Sequence, residues 1–198
     1  NMEVGNDRMR NQSAAEQFVH NDADEVLAQC DCVVDQTYYT QACNQSMMET
    51  FRAYTYMDHN NRLNIVSSTQ IPFHVRRIAG FALELPLHRI RVQKPRVGGG
   101  FGAKQTVVCE LYPAIVTLKT GRPAKIVFDR RESFITGGNR HPMRIRVRIG
   151  SDAQGNIQAI DVDALSNTGA YGEHGGTTVG LVGHKSIPLY NRVKASRF

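Results

Sequence analysis

Between Val97 and Gln105 the chain reads Val-Gly-Gly-Gly-Phe-Gly-Ala-Lys-Gln, which sets Gly98, Gly99, Gly100 and Gly102 around Phe101. Ordering a glycine costs about 0.5 to 1 kcal/mol more than ordering an alanine, so something has to require bare backbone here. Two readings stay open on composition. The loop makes positive-φ turns against a neighbouring element, or it brings N–H groups against a ligand at the start of the following helix, where amides are unpaired and the dipole is positive. Two familiar ligand loops are excluded. A phosphate-binding Walker loop needs Gly-Lys-Ser/Thr, whereas Lys104 follows Ala103 and precedes Gln105. A dinucleotide fingerprint needs another glycine three residues after Gly100, and that position is Ala103.

The other reactive side chains are less organised. Cys30, Cys32, Cys43 and Cys109 lack a matched second pair, and Cys30-x-Cys32 has too short a spacer for a zinc or redox motif. They read as reduced thiols, consistent with a cytoplasmic setting. Residues 1–60 hold three arginines against ten carboxylates, while residues 61–198 hold 21 basic against 8 acidic side chains. The basic part suits an anion: nucleic acid, an anionic cofactor or a negative partner subunit. No helix-turn-helix, finger or single-strand-binding signature supports nucleic acid. No apolar run approaches the roughly 20 residues of a membrane helix.

The elements that must position the glycine loop are legible on both sides of it. Asp22 or Asp24 caps a short helix over 25–29, and 32–39 alternates as a strand. Strands at 51–57 and 62–68 flank the turn formers Asp58-His59-Asn60-Asn61 and make a hairpin. Thr69 and Pro72 open a helix whose stripe is Ile71, Val75, Ile78, Ala79 and Ala82, and which stops before Pro86. A strand at 89–93 leads into the loop. A helix is expected from about 103–106 to 120, kinked or divided at Pro113 and ended by Gly121, followed by a strand at 124–128. Further on, Arg144, Arg146 and Arg148 alternate with apolar residues and face Asp161 and Asp163 across a turn at 151–156. If Gly150 pairs with Ile157, Arg146 faces Asp161 and Arg144 faces Asp163, which makes these arginines structural.

Taken in order, Met48-Glu49-Thr50, Ser68-Thr69-Gln70, the helix after Pro72, Val97 to Gln105, Gly121-Arg122-Pro123, Asp129-Arg130-Arg131-Glu132, Asn139-Arg140-His141-Pro142 and Ser166-Asn167-Thr168-Gly169-Ala170-Tyr171 form a specific set. Over residues 23–191 the chain resembles the molybdopterin-binding subunit of the xanthine dehydrogenase and aldehyde oxidase family of molybdenum hydroxylases.

The resemblance implies hydroxylation of an aromatic heterocycle or aldehyde at a molybdenum-molybdopterin dinucleotide cofactor, with oxygen from water and electrons leaving through iron-sulfur clusters to FAD on partner subunits or domains. Gln70 matches a glutamine whose amide lies beside an oxygen ligand of the metal, and Phe101 a residue whose backbone N–H donates to such an oxygen. Gly99, Gly100 and Gly102 permit the approach. Gln105 stands where xanthine-oxidising relatives carry a substrate-holding glutamate, so a purine is in doubt and a nicotinate-like ring is at least as plausible. Lys104 is given no catalytic part and is expected in solvent or in a loop contact. In this family the metal is held by the pterin dithiolene, so His141 and His174 are not read as ligands.

The expected fold is α/β or α+β: a mixed sheet with two main helices, forming part of a cofactor-binding domain over 23–198. A flexible arm, 1–22, begins with Asn1 as a tag remnant. The resemblance places the catalytic base and a substrate-side arginine in segments after the equivalent of Asn191. The chain is therefore expected to be an internal fragment, inactive alone. A basic nucleic-acid-binding domain and a subunit-interaction scaffold are the alternatives.

Overall fold

The computed structural model describes residues 7, 9–172 and 174–198; the tag reading of Asn1 lies outside them. In chain order the elements are β1 (Val19–His20), α1 (Ala23–Ala28), β2 (Cys32–Tyr39), β3 (Arg52–Met57), β4 (Leu63–Ser67), α2 (Pro72–Ala82), β5 (Ile90–Gln93), α3 (Leu111–Thr120), β6 (Ala124–Val127), α4 (Arg130–Thr136), β7 (Met143–Ser151), β8 (Ile157–Ser166), α5 (Gly175–Ser186) and β9 (Ala195–Arg197). They form two compact units, one spanning Asn44–Arg140 and the other joining the segments before and after it. The mixed α/β class holds, but with two sheets and, among the described residues, five helices.

In the unit of residues 44–140 the strand order is β5-β4-β3-β6. β3 pairs antiparallel with β4 and β6, whereas β4 and β5 are parallel and connected through α2. The β3–β4 turn closes on Asp58, whose carboxylate accepts from the backbone N–H of Arg62 and Asn60, both at 2.9 Å, and from Asn64 Nδ2 at 3.0 Å. The Arg62 N–H leads these donors in holding the Asp58 carboxyl down at about 2. One apolar cluster joins Leu63, Ile65, Ala79, Ile90 and Ala114 between sheet and helices, and a second joins Met47, Phe51, Ala53, Ala103 and Cys109 beneath the glycine loop. Thr55 and Thr117 share a buried hydroxyl hydrogen bond of 2.7 Å that ties β3 to α3.

The helix expected from 103–106 is shorter than the sequence suggests. α3 starts at Leu111 with Pro113 in its first turn, where the ring costs no hydrogen bond and no kink follows. Residues 101–106 are turns instead, because side chains take the amides a helix would use: Gln70 accepts from Gly102 and Lys104, and Glu110 from Val108 and Cys109. The ligand reading that needed a helix directly behind the loop loses its geometry.

In the other unit the order is β1-β9-β8-β7-β2. Asp22 caps α1 by accepting from Asp24 N and Glu25 N. The β7–β8 register differs from the expected one by two residues, with Arg146 opposite Asp163 and Arg148 opposite Asp161: the turn closes at Ser151 and Ile157, which accounts for one, and a bulge at Gly150/Ser151 adds the other. A two-residue offset preserves the faces, so the arginines still meet carboxylates. Arg144 reaches Asp163 at 3.0 Å, Arg148 reaches Asp161, and Arg146 reaches Asp35 of β2 at 2.6 Å.

Candidate functional site

Four consecutive side chains at the end of β4 hold the segment 98–110, Ser67 through Glu110 and the next three through different atoms of Lys104. Ser67 Oγ donates to Glu110 Oε1 at 2.7 Å, and Glu110 Oε2 accepts from the Val108 and Cys109 amides at 2.9 and 3.0 Å. Ser68 Oγ donates to Glu49 Oε2 and accepts from Lys104 Nζ at 2.7 Å. Thr69 Oγ1 donates to the Lys104 carbonyl at 3.4 Å. Gln70 Oε1 accepts from the backbone N–H groups of Gly102 and Lys104 at 3.0 and 3.3 Å, while the backbone N–H of Gln70 donates to the Lys104 carbonyl at 2.9 Å.

This arrangement accounts for the glycine run. A Cβ on Gly100 would stand 2.5 Å from Gln70 Oε1 and 2.6 Å from Cδ, so only glycine lets the loop rest on the Gln70 amide. Gly102 has φ +90° and Gly99 φ +96°, a region that L side chains rarely adopt. Positive-φ turns and close packing, the first of the two readings, therefore explain the composition. They do not explain Phe101. Phe101 has φ +49° without being a glycine, its side chain is 61% exposed, and among the described residues its N–H has no acceptor. A non-glycine residue held in this region persists when its surroundings over-determine it, a condition that clusters at functional sites.

The site residues read from the sequence thus fall into one cluster. Gly100 and Gly102 flank Phe101 and both touch the Gln70 amide, and the Phe101 ring lies against Gly99. Gln105 follows in the same turn, half-buried, its amide donating to the Gly102 carbonyl at 3.3 Å. His141 lies 3.4 Å from Ser166 Oγ, and among the described residues no three His, Cys, Asp or Glu side chains stand together as a metal site. The four cysteines are free thiols. Burial, reinforced by the charge of Glu110, pushes Cys109 up to about 12.

Of the two expectations for Lys104, solvent fails and a loop contact holds: it is 1% exposed, and its ammonium pairs with Glu49 Oε2 at 3.0 Å. Burial opposes the charge on Glu49, but the hydrogen bonds from Ser68, the Gly98 amide and Lys104 outweigh it and hold the carboxyl below its usual range. No local signal announces this pair, since the partners are 55 residues apart in sequence. Arg140 also reaches the site: its Nη1 would lie 3.3 Å from a Cβ on Gly102, which places a guanidinium beside the loop.

The residues present fit an oxygen-bearing group. Gln70 Nε2, the amide nitrogen left over once Oε1 is occupied, has no acceptor among the described residues, nor has the Phe101 N–H, and the bare backbone of Gly100 lets the Gln70 amide lie directly against the loop. A model of the molybdopterin cofactor-binding domain matches residues 6–197. The chain belongs to that family. It is 35% identical over 190 residues to a probable hypoxanthine oxidase XdhD of Escherichia coli O157:H7, covering 96% of this chain and 20% of that protein. It is 34% identical over 156 residues to the nicotinate dehydrogenase large molybdopterin subunit of Eubacterium barkeri, covering 79% of this chain and 37% of that one. An aldehyde oxidoreductase from Desulfovibrio gigas shares the fold with a TM-score of 0.75 at 23% identity, over 81% of this chain and 18% of that one. The chain spans about a fifth of the length of the first of these relatives. No helix among the described residues is long and apolar enough to cross a membrane.

Proposed function

We propose that this chain forms one wall of the cofactor site in the catalytic subunit of a molybdenum hydroxylase, an oxidoreductase acting on an aromatic heterocycle or an aldehyde with oxygen from water. The observation that carries the reading is the Gln70 amide, whose oxygen is occupied by two backbone N–H groups, with Nε2 left without an acceptor among the described residues, in the same cluster as the Phe101 N–H, which likewise has none among them. When bound, the molybdenum-molybdopterin dinucleotide supplies the two-electron redox and oxygen-transfer chemistry. The residues of this chain hold and polarise. Gln70 Nε2 and the Phe101 N–H are neutral donors that stabilise negative charge building on an oxygen, and being fixed beforehand they need no reorganisation. The backbone at Gly99, Gly100 and Gly102 admits the group closely.

Gln105 is assigned to the substrate. A neutral amide donates and accepts hydrogen bonds but supplies no charge, which favours a nicotinate-like ring over a purine. The name of the Eubacterium relative supports this reading, and that of the Escherichia relative favours a purine. Electrons leave to iron-sulfur and FAD subunits, and the whole protein is cytoplasmic. Within the basic part of the chain, the strand arginines are engaged with carboxylates as expected: Arg144, Arg146 and Arg148 are each in an ion pair.

The test is made in the cofactor-loaded protein that carries this chain. Gln70→Ala is expected to lower kcat by ~10²-fold, the scale of losing one preorganised donor. Unchanged turnover overturns the role of Gln70. Gln105→Glu is expected to shift preference toward purines, and an unchanged preference makes Gln105 structural.

A further inference from the structure

The glycine loop is closed at both ends by one atom. Glu49 Oε2 accepts from the Gly98 amide at 2.7 Å, where the loop begins, and from Lys104 Nζ at 3.0 Å, where it ends. Glu49 also donates its own amide to the Gly98 carbonyl at 3.0 Å, and Ser68 Oγ bridges the carboxylate and the ammonium. At the far end, the backbone of Lys104 makes the contacts that fix Gln70. Its N–H donates to Gln70 Oε1, and its carbonyl accepts from both the backbone N–H of Gln70 and Thr69 Oγ1. The ammonium therefore anchors the same residue whose peptide groups orient the Gln70 amide.

Stability alone is a poor reason for such a pair. Burying two charges costs several kcal/mol per ion, and apolar replacements of similar volume are often as stable. A charged pair with defined partners does specify geometry, and geometry is what the interior of this loop demands. Phe101, midway between the two anchored ends, is held at φ +49°. Releasing either end lets that residue relax to an ordinary backbone conformation and turn its N–H away.

We propose that Lys104 is a positioning residue, locking the loop through Glu49 and Ser68 so that the Gln70 amide and the Phe101 N–H are held in the orientation the cofactor meets. This rests on the reading of Gln70 and Phe101 as cofactor donors. It also makes a claim about this chain that is tested without the chemistry.

Lys104→Met, Glu49→Gln with Lys104→Met, and Ser68→Ala are made in the full chain and followed by residue-resolved amide exchange. The double variant leaves no unpaired buried charge and serves if Lys104→Met alone does not fold. Exchange at Gly102 and Lys104 is expected to accelerate by ~10-fold or more in the first two variants and by less in Ser68→Ala, with exchange at Ile65 of β4 unchanged. Unchanged protection at Gly102 and Lys104 in a folded variant overturns the lock.

The second readout is a mutant cycle on the loaded protein. Removing the lock is expected to lower kcat by ~10-fold with KM within ~2-fold, and to cost clearly less in a Gln70→Ala background, where the Phe101 N–H is the one proposed donor left for the lock to position. An equal loss in both backgrounds overturns positioning. If Gln70→Ala itself keeps full turnover, the cofactor reading fails while the exchange result still decides the lock.

Discussion

The Glu49–Lys104 pair and the arginine–aspartate cluster of the other unit use the same charges for opposite purposes. Lys104 is 1% exposed, makes one ion pair among the described residues, and keeps the neutral Ser68 hydroxyl but no counter-ion there if Glu49 is lost. In the other unit Arg148 and Arg197 each reach both Asp24 and Asp161, a closed set in which every charge has two partners. The hydrogen bonds from Arg148 and then Arg197 hold Asp24 below the usual carboxylate range, and for Asp161 the same two arginines overcome the opposing effect of burial. A single buried contact defines one geometry, whereas a redundant cluster joins α1, β7, β8 and β9 and tolerates the loss of a member.

The largest effect expected from this contrast is at Glu49. Glu49→Gln leaves the Lys104 ammonium buried without its counter-ion, and the loss expected in urea unfolding is about 3 to 5 kcal/mol. A loss below about 1 kcal/mol would erase the distinction between the two clusters. Asp161→Asn comes next, at about 1 to 3 kcal/mol, since an amide still accepts hydrogen bonds and the arginines keep another partner. Acid provides a third comparison. Glu49 and Asp161 both have lowered pKa values in the folded state, so the unfolded chain binds more protons in that range. Their contribution is complete above the ordinary carboxylate range of about 4 and is lost as pH falls through the lowered values. Thermal unfolding followed from pH 6 downward should show stability falling with pH, less steeply in Asp161→Asn. A flat profile would contradict the assignment. The smallest effect is at Arg144, whose pair with Asp163 is about half-exposed on both sides. Arg144→Ala should cost no more than about 0.5 to 1 kcal/mol, and less in high salt.

Much of the fold is legible where local pattern decides it. Strand β2, the hairpin around Asp58 and the stop at Gly121 follow from alternation and turn chemistry. The capping box at Asp129 and Glu132 that starts α4 carries its own local signature, Asp-x-x-Glu. What local pattern missed depends on distant partners. α5 contains Gly175, Gly176, Gly180 and Gly183, a composition that argues against a helix, but a Cβ on Gly183 would stand 2.1 Å from the Phe198 ring. Packing against the chain's last residue therefore overrides propensity. At the site, Gln70 and the glycines were readable as a set, whereas the burial of Lys104 was not, because its counter-ion arrives from another segment.

Since Gly98 and Lys104 meet at a single carboxylate oxygen, the span of this loop is set by the width of an atom and not by any length of chain. Moving the loop to another scaffold would carry its shape only if a glutamate were delivered to the same point in space. The portable unit is consequently three stretches of polypeptide, those around Glu49, Ser68 and Gly100, and a graft of the glycine stretch alone would arrive slack.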